Sequence, residues 1–221
     1  MWVARNSGLL APTSLSSAEN HTDTGTSVTW THDIEPNAKV ILAVFPGGFY
    51  VTNGGVGVTL DPSGSAKTFT GVGSAVFLYN GSNYFYVSLL YLLNPPPGLQ
   101  TLQAKIAPYT GNPAYGNIAG AASFTYANCS SVANGAPAIN PTRPLTITGA
   151  PNKTVFNVFS GFNAANNVFT STSPNQLYLR PSGSAYPLAI ADGIPGAASP
   201  AFDCVAQNAT TIQQISCTLT A

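Results

Sequence analysis

The apolar residues of this chain come in short runs, and most runs end at proline, glycine or asparagine. Val28–Ile34 alternates apolar and polar side chains, which is the two-residue period of a half-buried β-strand. Val40–Phe45 is apolar throughout, as in a central strand covered on both faces, and Pro46 ends it. Tyr84–Leu93, the longest run, stops at an Asn-Pro-Pro-Pro-Gly turn. Because no segment shows the longer period of an amphipathic helix, the sequence predicts an all-β fold.

About a dozen short strands are predicted in this way, with turn residues between them. The hairpin Ala75–Leu93 around Asn80-Gly81 is the strongest local prediction, because Asn-Gly is favoured in tight β-turns. Regularly spaced short strands are typical of a β-sandwich, and we expect a jelly-roll-like sandwich of two sheets. The strand candidates are Val28–Ile34, Val40–Phe45, Val56–Leu60, Ala75–Tyr79, Tyr84–Leu93, Gln100–Ile106, Ser123–Tyr126, Leu145–Thr148, Val155–Phe159, Gln176–Leu179, Leu188–Ala191, Phe202–Ala206 and Ile212–Leu219.

The domain organisation is predicted as an N-terminal arm, residues 1–25, followed by one sandwich domain, residues 26–221. The first 25 residues are small, polar and irregular, and we interpret them as an arm or as a first edge strand. Residues 127–143 are rich in Pro, Asn, Ala and Ser and predict a long loop or a linker. A weak echo between 36–45 and 151–159 leaves open two domains split within that linker. Matching strands of one domain would give the same echo, so one domain is favoured.

Charged residues are unusually scarce. Lys and Arg number 7, Asp and Glu number 7, and together they make 6% of the 221 residues, whereas a soluble domain typically carries about 25%. Seven dispersed basic residues cannot form the basic face that nucleic-acid phosphates require, so we expect no nucleic-acid partner. With zero net charge, copies of the chain do not repel one another. We therefore expect a homo-oligomer or a larger assembly.

No targeting or membrane segment is expected. The longest apolar run has about 10 residues, whereas a membrane helix needs about 20. The N-terminus, Met1–Asn6, lacks the basic start and the apolar stretch of a secretory signal. Three interpretations follow: the protein stays in a cytoplasm, it leaves by cell lysis, or a signal was removed and Met1 is an added start.

The three cysteines, Cys129, Cys204 and Cys217, have neither the spacing of a zinc module nor the even number of a disulfide framework. Cys204 and Cys217 lie in neighbouring strand-like runs that could form a hairpin with the thiols facing one another. Two alternatives stay open, a disulfide between them or two buried reduced thiols.

Residues with catalytic or metal-binding chemistry are few, and no Gly-x-Ser-x-Gly, Ser-x-x-Lys or His-Glu-x-x-His motif occurs. One polar concentration could form a divalent-metal site or an acid–base pair. The favoured interpretation is structural: His32 is a partly buried strand residue bonded to a backbone carbonyl, and Asp33 and Glu35 form a turn. We therefore expect no catalytic residue, no metal, no cofactor and no enzymatic activity. The concentration consists of Glu19, His21, Asp23, His32, Asp33 and Glu35.

Aromatic residues offer a further possibility, because aromatic faces stack on sugar rings. Most of the 10 tyrosines and 11 phenylalanines alternate as strand residues do and are expected in the core. Four tyrosines lie in loops rich in Gly and Pro and are candidates for a glycan-binding surface. They are Tyr50, Tyr109, Tyr115 and Tyr186.

Several short segments occur in a characteristic order: Ser27–His32, Val40–Phe45, Leu92–Leu102, Ser123–Tyr126, Ile190–Gly193, Phe202 and Ile215–Leu219. In this order they resemble small all-β virion proteins of tailed phages of actinobacteria, including mycobacteriophages. Members of that family are described mostly as minor tail proteins and in some cases as capsid decoration proteins. The resemblance extends over roughly residues 25–221, which favours one domain over two.

The resemblance implies a jelly-roll-like structural protein of the virion with no catalytic residue. We expect a minor tail protein that docks on other virion proteins as an oligomer, assembled in the host cytoplasm and released by lysis. Two alternatives stay open: a capsid decoration protein, and a carbohydrate-binding module that recognises a glycan on the host surface.

Overall fold

The computed structural model describes residues 10–21, 26–50, 56–79, 83–106, 116–118, 120–141, 143–162, 168–179, 188–193, 197, 199–207 and 211–221. Within these ranges the chain forms nineteen β-strands and no helix, and hence no helix that could cross a membrane. All the strand pairs are antiparallel. The predicted all-β sandwich class is confirmed. The strands are β1 (Thr13–His21), β2 (Ser27–Ile34), β3 (Val40–Tyr50), β4 (Val56–Leu60), β5 (Lys67–Thr68), β6 (Thr70–Tyr79), β7 (Asn83–Leu93), β8 (Gly98–Ile106), β9 (Gly116–Ile118), β10 (Gly120–Ala127), β11 (Ser131–Asn134), β12 (Ala138–Ile139), β13 (Leu145–Thr146), β14 (Lys153–Phe162), β15 (Val168–Ser173), β16 (Asn175–Leu179), β17 (Leu188–Asp192), β18 (Ala201–Gln207) and β19 (Thr211–Thr220).

Two sheets enclose the first hydrophobic core. One has the strand order β1-β10-β3-β7-β6, with β9 also paired to β3, and the other has the order β2-β8-β4-β5. Ile41, Ala43 and Phe45 of β3 belong to this core, together with Trp30 of β2 and Leu102 of β8. The strand β2 alternates strictly between exposed and buried residues, which confirms the predicted half-buried strand.

Two further sheets enclose a second core. One has the order β11-β19-β14-β17-β16, with β12 also paired to β19, and the other has the order β13-β18-β15. The second core contains Val155 and Phe159 of β14, Phe169 of β15, Phe202 of β18 and Ile212 of β19. All five side chains are buried.

The second pair of sheets repeats the first, strand for strand. The order β10-β3-β7-β6 corresponds to β19-β14-β17-β16, and β2-β8-β4 corresponds to β13-β18-β15, in the same sequence along the chain. Even an irregularity recurs: the register shifts between Gly71 and Gly73 of β6, and between Gln176 and Tyr178 of β16. The chain therefore folds into two β-sandwiches of one topology. The expectation of only two sheets is wrong, because the residues that the structure describes form four, two in each sandwich.

This repeat explains the weak echo in the sequence. Residues 36–45 lead into and along β3, and 151–159 lead into and along β14, and these are the equivalent strands of the two sandwiches. The strands that pair with β3 and β14, which are β10 and β19, are also similar. Ser123 of β10 lies opposite Ala43 of β3, and Ser216 of β19 lies opposite the equivalent residue of β14.

The two sandwiches pack against each other through their larger sheets. Val40, Leu42 and Val44 of β3 and Phe156 and Val158 of β14 share one core, the largest of the three in the described structure. All five are fully buried. The strand β3 is therefore covered on both faces, which confirms that prediction and explains why its residues are apolar at successive positions.

The segment 127–143 contains the boundary between the two sandwiches. The prediction that it is a loop or linker is wrong in part, because β11 and β12 lie within it and pair with β19. The expectation of a single domain over 26–221 stays a prediction. Because the two sandwiches share a core, it implies that both sandwiches unfold together in one transition.

Most other local predictions agree with the structure. The hairpin Ala75–Leu93 is confirmed, since β6 and β7 pair as far as Tyr79 opposite Asn83, although 80–82 lie outside the described residues. The strand β15 is not predicted from the sequence, because its Ser and Thr residues are equally typical of turns.

We expect Phe156→Ala to lower the free energy of unfolding by about 3–5 kcal/mol, because it opens a cavity in the shared core. The Phe156 ring contacts the first sandwich, with ring centroids 5.4 Å from Phe124 and 6.2 Å from Tyr126. Urea unfolding followed by circular dichroism measures the change, and we expect one transition. The exposed control Val76→Ala should change stability by less than about 1 kcal/mol. Two transitions, one of them unaffected by Phe156→Ala, would contradict the shared core.

Candidate functional site: the N-terminal strand and its polar anchor

The N-terminal strand β1 forms one edge of the first sandwich. It pairs antiparallel with β10, from Thr13 opposite Ala127 to His21 opposite Gly120, with a register shift between Ser14 and Ser17. The expectation of an irregular arm is therefore wrong for Thr13–His21, and the alternative of a first edge strand is confirmed there. Residues 1–9 and 22–25 lie outside the described residues.

Few apolar side chains hold β1 in place. Its sequence is mostly polar, and only Leu15 and Ala18 pack, partly buried, against the core of the first sandwich. Backbone hydrogen bonds to β10 and a set of polar side chains therefore hold the strand. We call this set the polar anchor, and it consists of Ser16, Trp30, His32, Glu35, Ser123 and Thr125.

His32 is the centre of the polar anchor. Its ring is buried, with Nε2 lying 2.7 Å from Ser16 Oγ on β1 and Nδ1 lying 2.7 Å from Ser123 Oγ on β10. Trp30 Nε1 donates a hydrogen bond to the same Ser123 hydroxyl at 2.8 Å. The predicted partner of His32, a backbone carbonyl, is thus wrong, because two serine hydroxyls take that role.

Glu35 closes the anchor at its solvent side. Thr125 Oγ1 donates a hydrogen bond to Glu35 Oε2 at 2.8 Å and lies 2.8 Å from Ser16 Oγ. Partial burial by itself raises the pKa of Glu35, but hydrogen bonds from Ser16 and Thr125 outweigh it and hold the pKa below its usual value. The predicted turn after β2 is confirmed, since the Ala38 amide donates to the Glu35 carbonyl at 3.0 Å.

Burial lowers the pKa of His32 below its usual 6.5, against the opposing charges of Glu35 and Asp33. In the unfolded chain the same histidine titrates near its usual value. As the pH falls below about 6.5 the unfolded chain therefore binds the proton first, and the folded state loses stability. The polar anchor therefore contributes most to the free energy of unfolding when His32 is neutral.

Of the predicted metal or acid–base cluster, the polar anchor contains His32 and Glu35 but neither Asp33 nor Glu19. Asp33 is an exposed residue at the end of β2, and Glu19 is an exposed residue of β1. His21 belongs to β1, but its side chain lies outside the described residues, as does Asp23 altogether. Among the residues that the structure describes, no group of three His, Cys, Asp or Glu could hold a metal ion.

The segment before β1 reaches the second sandwich. Thr154 Oγ1, on β14, donates a hydrogen bond to the Pro12 carbonyl at 2.5 Å, and Ala11 beside it is buried. Leu10, one residue earlier, is 75% exposed. The segment before β1 therefore connects the first sandwich to the second, and it presents the apolar Leu10 side chain to solvent.

A buried carboxylate makes a second polar connection between the sandwiches. The Tyr126 hydroxyl on β10 donates to Asp192 Oδ2 at 2.9 Å, and Asn175 Nδ2 donates to Asp192 Oδ1 at 2.6 Å. Burial raises the pKa of Asp192, and these two hydrogen bonds offset part of the effect. Sequence reasoning missed this group, because Tyr126 and Asp192 are 66 residues apart.

All three cysteines are free and buried. The predicted hairpin of Cys204 and Cys217 is wrong, because β18 pairs with β13 and β15 whereas β19 pairs with β11, β12 and β14. Of the two alternatives, buried reduced thiols are therefore confirmed. Burial raises the pKa of Cys129 and of Cys204 to about 11, so both thiols are protonated at neutral pH.

The four tyrosines predicted for glycan binding lie outside the described residues, wholly or in their side chains. Tyr109, Tyr115 and Tyr186 lie outside the described residues. Tyr50 ends β3, but its side chain lies outside them as well. The prediction of an aromatic glycan surface on these loops stays a prediction.

The sequence matches no family model and no curated protein. Among solved structures, the chain is similar to dimeric latent PorU from Porphyromonas gingivalis, with 12% sequence identity and a TM-score of 0.31. The match covers 97% of this chain and 21% of the PorU chain, so this chain spans about a fifth of the length of that protein. A similarity this weak supports no conclusion about fold or function.

We expect His32→Gln to destabilise the protein by about 1–3 kcal/mol at pH 7.5, because one of the two serine hydroxyls loses its partner. The loss of stability between pH 7.5 and 5.5 should also disappear, since the group that takes up the proton is gone. Urea unfolding at both pH values measures this. His21→Gln, which changes the only other histidine, is the control and should keep the pH dependence. An unchanged pH dependence in His32→Gln would refute the role of His32.

Tyr126→Phe is expected to lower the free energy of unfolding by about 1–3 kcal/mol, because Asp192 loses a hydrogen bond in a buried site. Thermal or urea unfolding measures the difference. Tyr91→Phe is the matched control, since no described residue is hydrogen bonded to the Tyr91 hydroxyl, and it should change little. Equal effects of the two substitutions would show that the Tyr126–Asp192 contact does not contribute.

Proposed function

We propose that this protein is a structural component of a phage virion, a minor tail protein that docks on other virion proteins as an oligomer. The family resemblance supports this proposal. Two of the segments that carry the resemblance are also neighbours in the fold. Val40–Phe45 and Ser123–Tyr126, two segments that carry the resemblance, are adjacent antiparallel strands at the centre of the first sandwich.

The observation that carries a docking role is the exposed apolar residue just before the N-terminal strand. Leu10 is 75% exposed, and it directly precedes the segment that connects the two sandwiches. The strand β1 lies at a sheet edge, and an edge strand can pair with a strand of another protein through its main chain. An apolar side chain beside such an edge adds buried area to the contact.

The scarcity of charge is also compatible with permanent assembly. Seven basic and seven acidic residues give zero net charge, so neighbouring copies meet without long-range repulsion. The proposal involves no catalytic step. A capsid decoration protein is the alternative placement in the particle, and it would use the same edge.

Quantitative mass spectrometry of purified particles, against the major capsid protein, tests the proposal. A few copies, in multiples of three or six, support the tail placement, whereas hundreds of copies support capsid decoration. Leu10→Asp should reduce the copy number several-fold, because a charge at the contact must be desolvated. Leu99→Asp, at a residue that is 72% exposed on the outer sheet, is the control and should leave the copy number unchanged. Absence of the unmodified protein from particles would refute the virion role.

A further inference from the structure

The outer face of the sheet β2-β8-β4-β5 carries hydroxyl and amide side chains in register across all four strands. One row consists of Thr29, Gln103, Thr59 and Thr68, which lie opposite one another on successive strands. A second row, two residues farther along, contains Thr31 of β2 opposite a threonine of β8. We call these six side chains the hydroxyl face: Thr29, Thr31, Thr59, Thr68, Thr101 and Gln103.

The hydroxyl face is open to solvent. Alternating residues of the same strands, Trp30, Val58 and Leu102, are buried on the opposite side of the sheet. Thr29 and Thr31 are exposed, and the members on β8 and β4 are half-buried by their neighbours. The face is therefore a surface of the first sandwich and not part of a core.

Most hydroxyl groups of the hydroxyl face form no hydrogen bond with another described residue. Within the described residues, its only side-chain hydrogen bond joins Gln103 Nε2 to Thr29 Oγ1 at 3.3 Å. Each hydroxyl donates one hydrogen bond and accepts two. Threonine is β-branched and rotationally restricted, so these groups lose little entropy on binding. The strand geometry spaces them about 4.8 Å apart across the sheet and about 6.8 Å apart along each strand.

The six side chains of the hydroxyl face are uncharged. Charged residues border it: Asp33 and Lys105 lie at the next outward positions of β2 and β8, Lys67 precedes Thr68, and the Asp61 amide at the end of β4 donates to the Thr101 carbonyl at 2.7 Å. A phosphate, a carboxylate or a cation would find no counter-charge among the six side chains themselves. The ligand that complements this face is therefore itself uncharged and rich in hydroxyl groups.

The second sandwich serves as an internal comparison. Its corresponding outer sheet places Ala201, Asp203 and Val205 at outward positions of β18, and Arg143 Nη1 lies 3.9 Å from Asp203 Oδ1. The shared topology thus accepts apolar and charged residues on this surface. The threonine rows of the first sandwich are not a requirement of the fold.

We propose that the hydroxyl face binds an uncharged polysaccharide, with the sugar hydroxyls bonded to the threonine hydroxyls and the sugar C–H groups resting on the threonine methyls. A protein partner would favour aromatic, methionine or arginine anchors, which the six side chains do not include. Among the described residues, Leu99, opposite Asp33 at one border, is the one large apolar side chain beside the rows. The proposal goes beyond the virion role and does not depend on it.

The test is depletion of the purified full chain from solution by insoluble polysaccharides. The probes are cross-linked dextran, cellulose and mannan, with cross-linked carboxymethyl-dextran as the anionic counterpart. We expect the chain to bind at least one neutral polymer and to bind the anionic one less. The triple variant Thr31→Val, Thr59→Val, Thr101→Val keeps shape and β-propensity while it removes three hydroxyls. It should bind about tenfold more weakly or worse, because each of the three lost hydrogen bonds weakens binding at least about twofold.

Thr146→Val is the matched control, since Thr146 is an exposed threonine of the outer sheet in the second sandwich. It should bind as the unmodified chain does. Circular dichroism confirms that both variants are folded. Three results would overturn the proposal: no binding to any neutral polymer, full binding by the triple variant, or equal binding to the anionic polymer. Each of these leaves the particle copy number unaffected, so the two proposals fail separately.

Discussion

The burial of two large sheets on both of their faces is the constraint on which the rest of this structure depends. A sheet with one apolar face needs one layer packed against that face. The strands β3 and β14 carry apolar side chains on both of their faces. Each therefore needs a smaller sheet on one side and the other large sheet on the opposite side. The layered arrangement follows from this requirement. It also leaves the two small sheets with a full face toward solvent.

Polar groups inside these layers are retained where they join elements that are distant in the sequence. The anchor around His32 joins β1, β2 and β10, and the Tyr126–Asp192 contact joins the two sandwiches. Apolar packing is tolerant of small shifts in position, whereas hydrogen bonds at 2.7–2.9 Å specify one register. The buried polar groups therefore fix how the strand edges and the two sandwiches align.

Much of the fold can be predicted from the sequence, because residue periodicity reports burial directly. The alternation of β2 and the apolar run of β3 identify both strands and the number of faces that are covered. Periodicity does not report which sheet packs against each buried face. The repeat was visible only as an echo, because equivalent positions have diverged, as Ala43 and Asn157 show opposite Ser123 and Ser216.

The sites are harder to predict than the strands, because their members come together only through the strand order. The alternation places His32 on the inner face, but its partners Ser16 and Ser123 lie 16 and 91 residues away. Thr29 and Thr31 are visible as outward residues of one strand. Their alignment with Thr59 and Thr101 depends on the pairing of β2 and β4 with β8, which the local sequence does not encode.

The recurrent register shift in β6 and β16 has a consequence for solubility. Both strands end the order of a large sheet, and neither contains a lysine or a proline. A flat, uncharged strand in that position is a template for open-ended growth into fibrils. An extra residue twists such a strand away from a straight partner. The chain has few charges to keep its copies apart, so the register shifts in β6 and β16 help to limit edge-to-edge growth into fibrils.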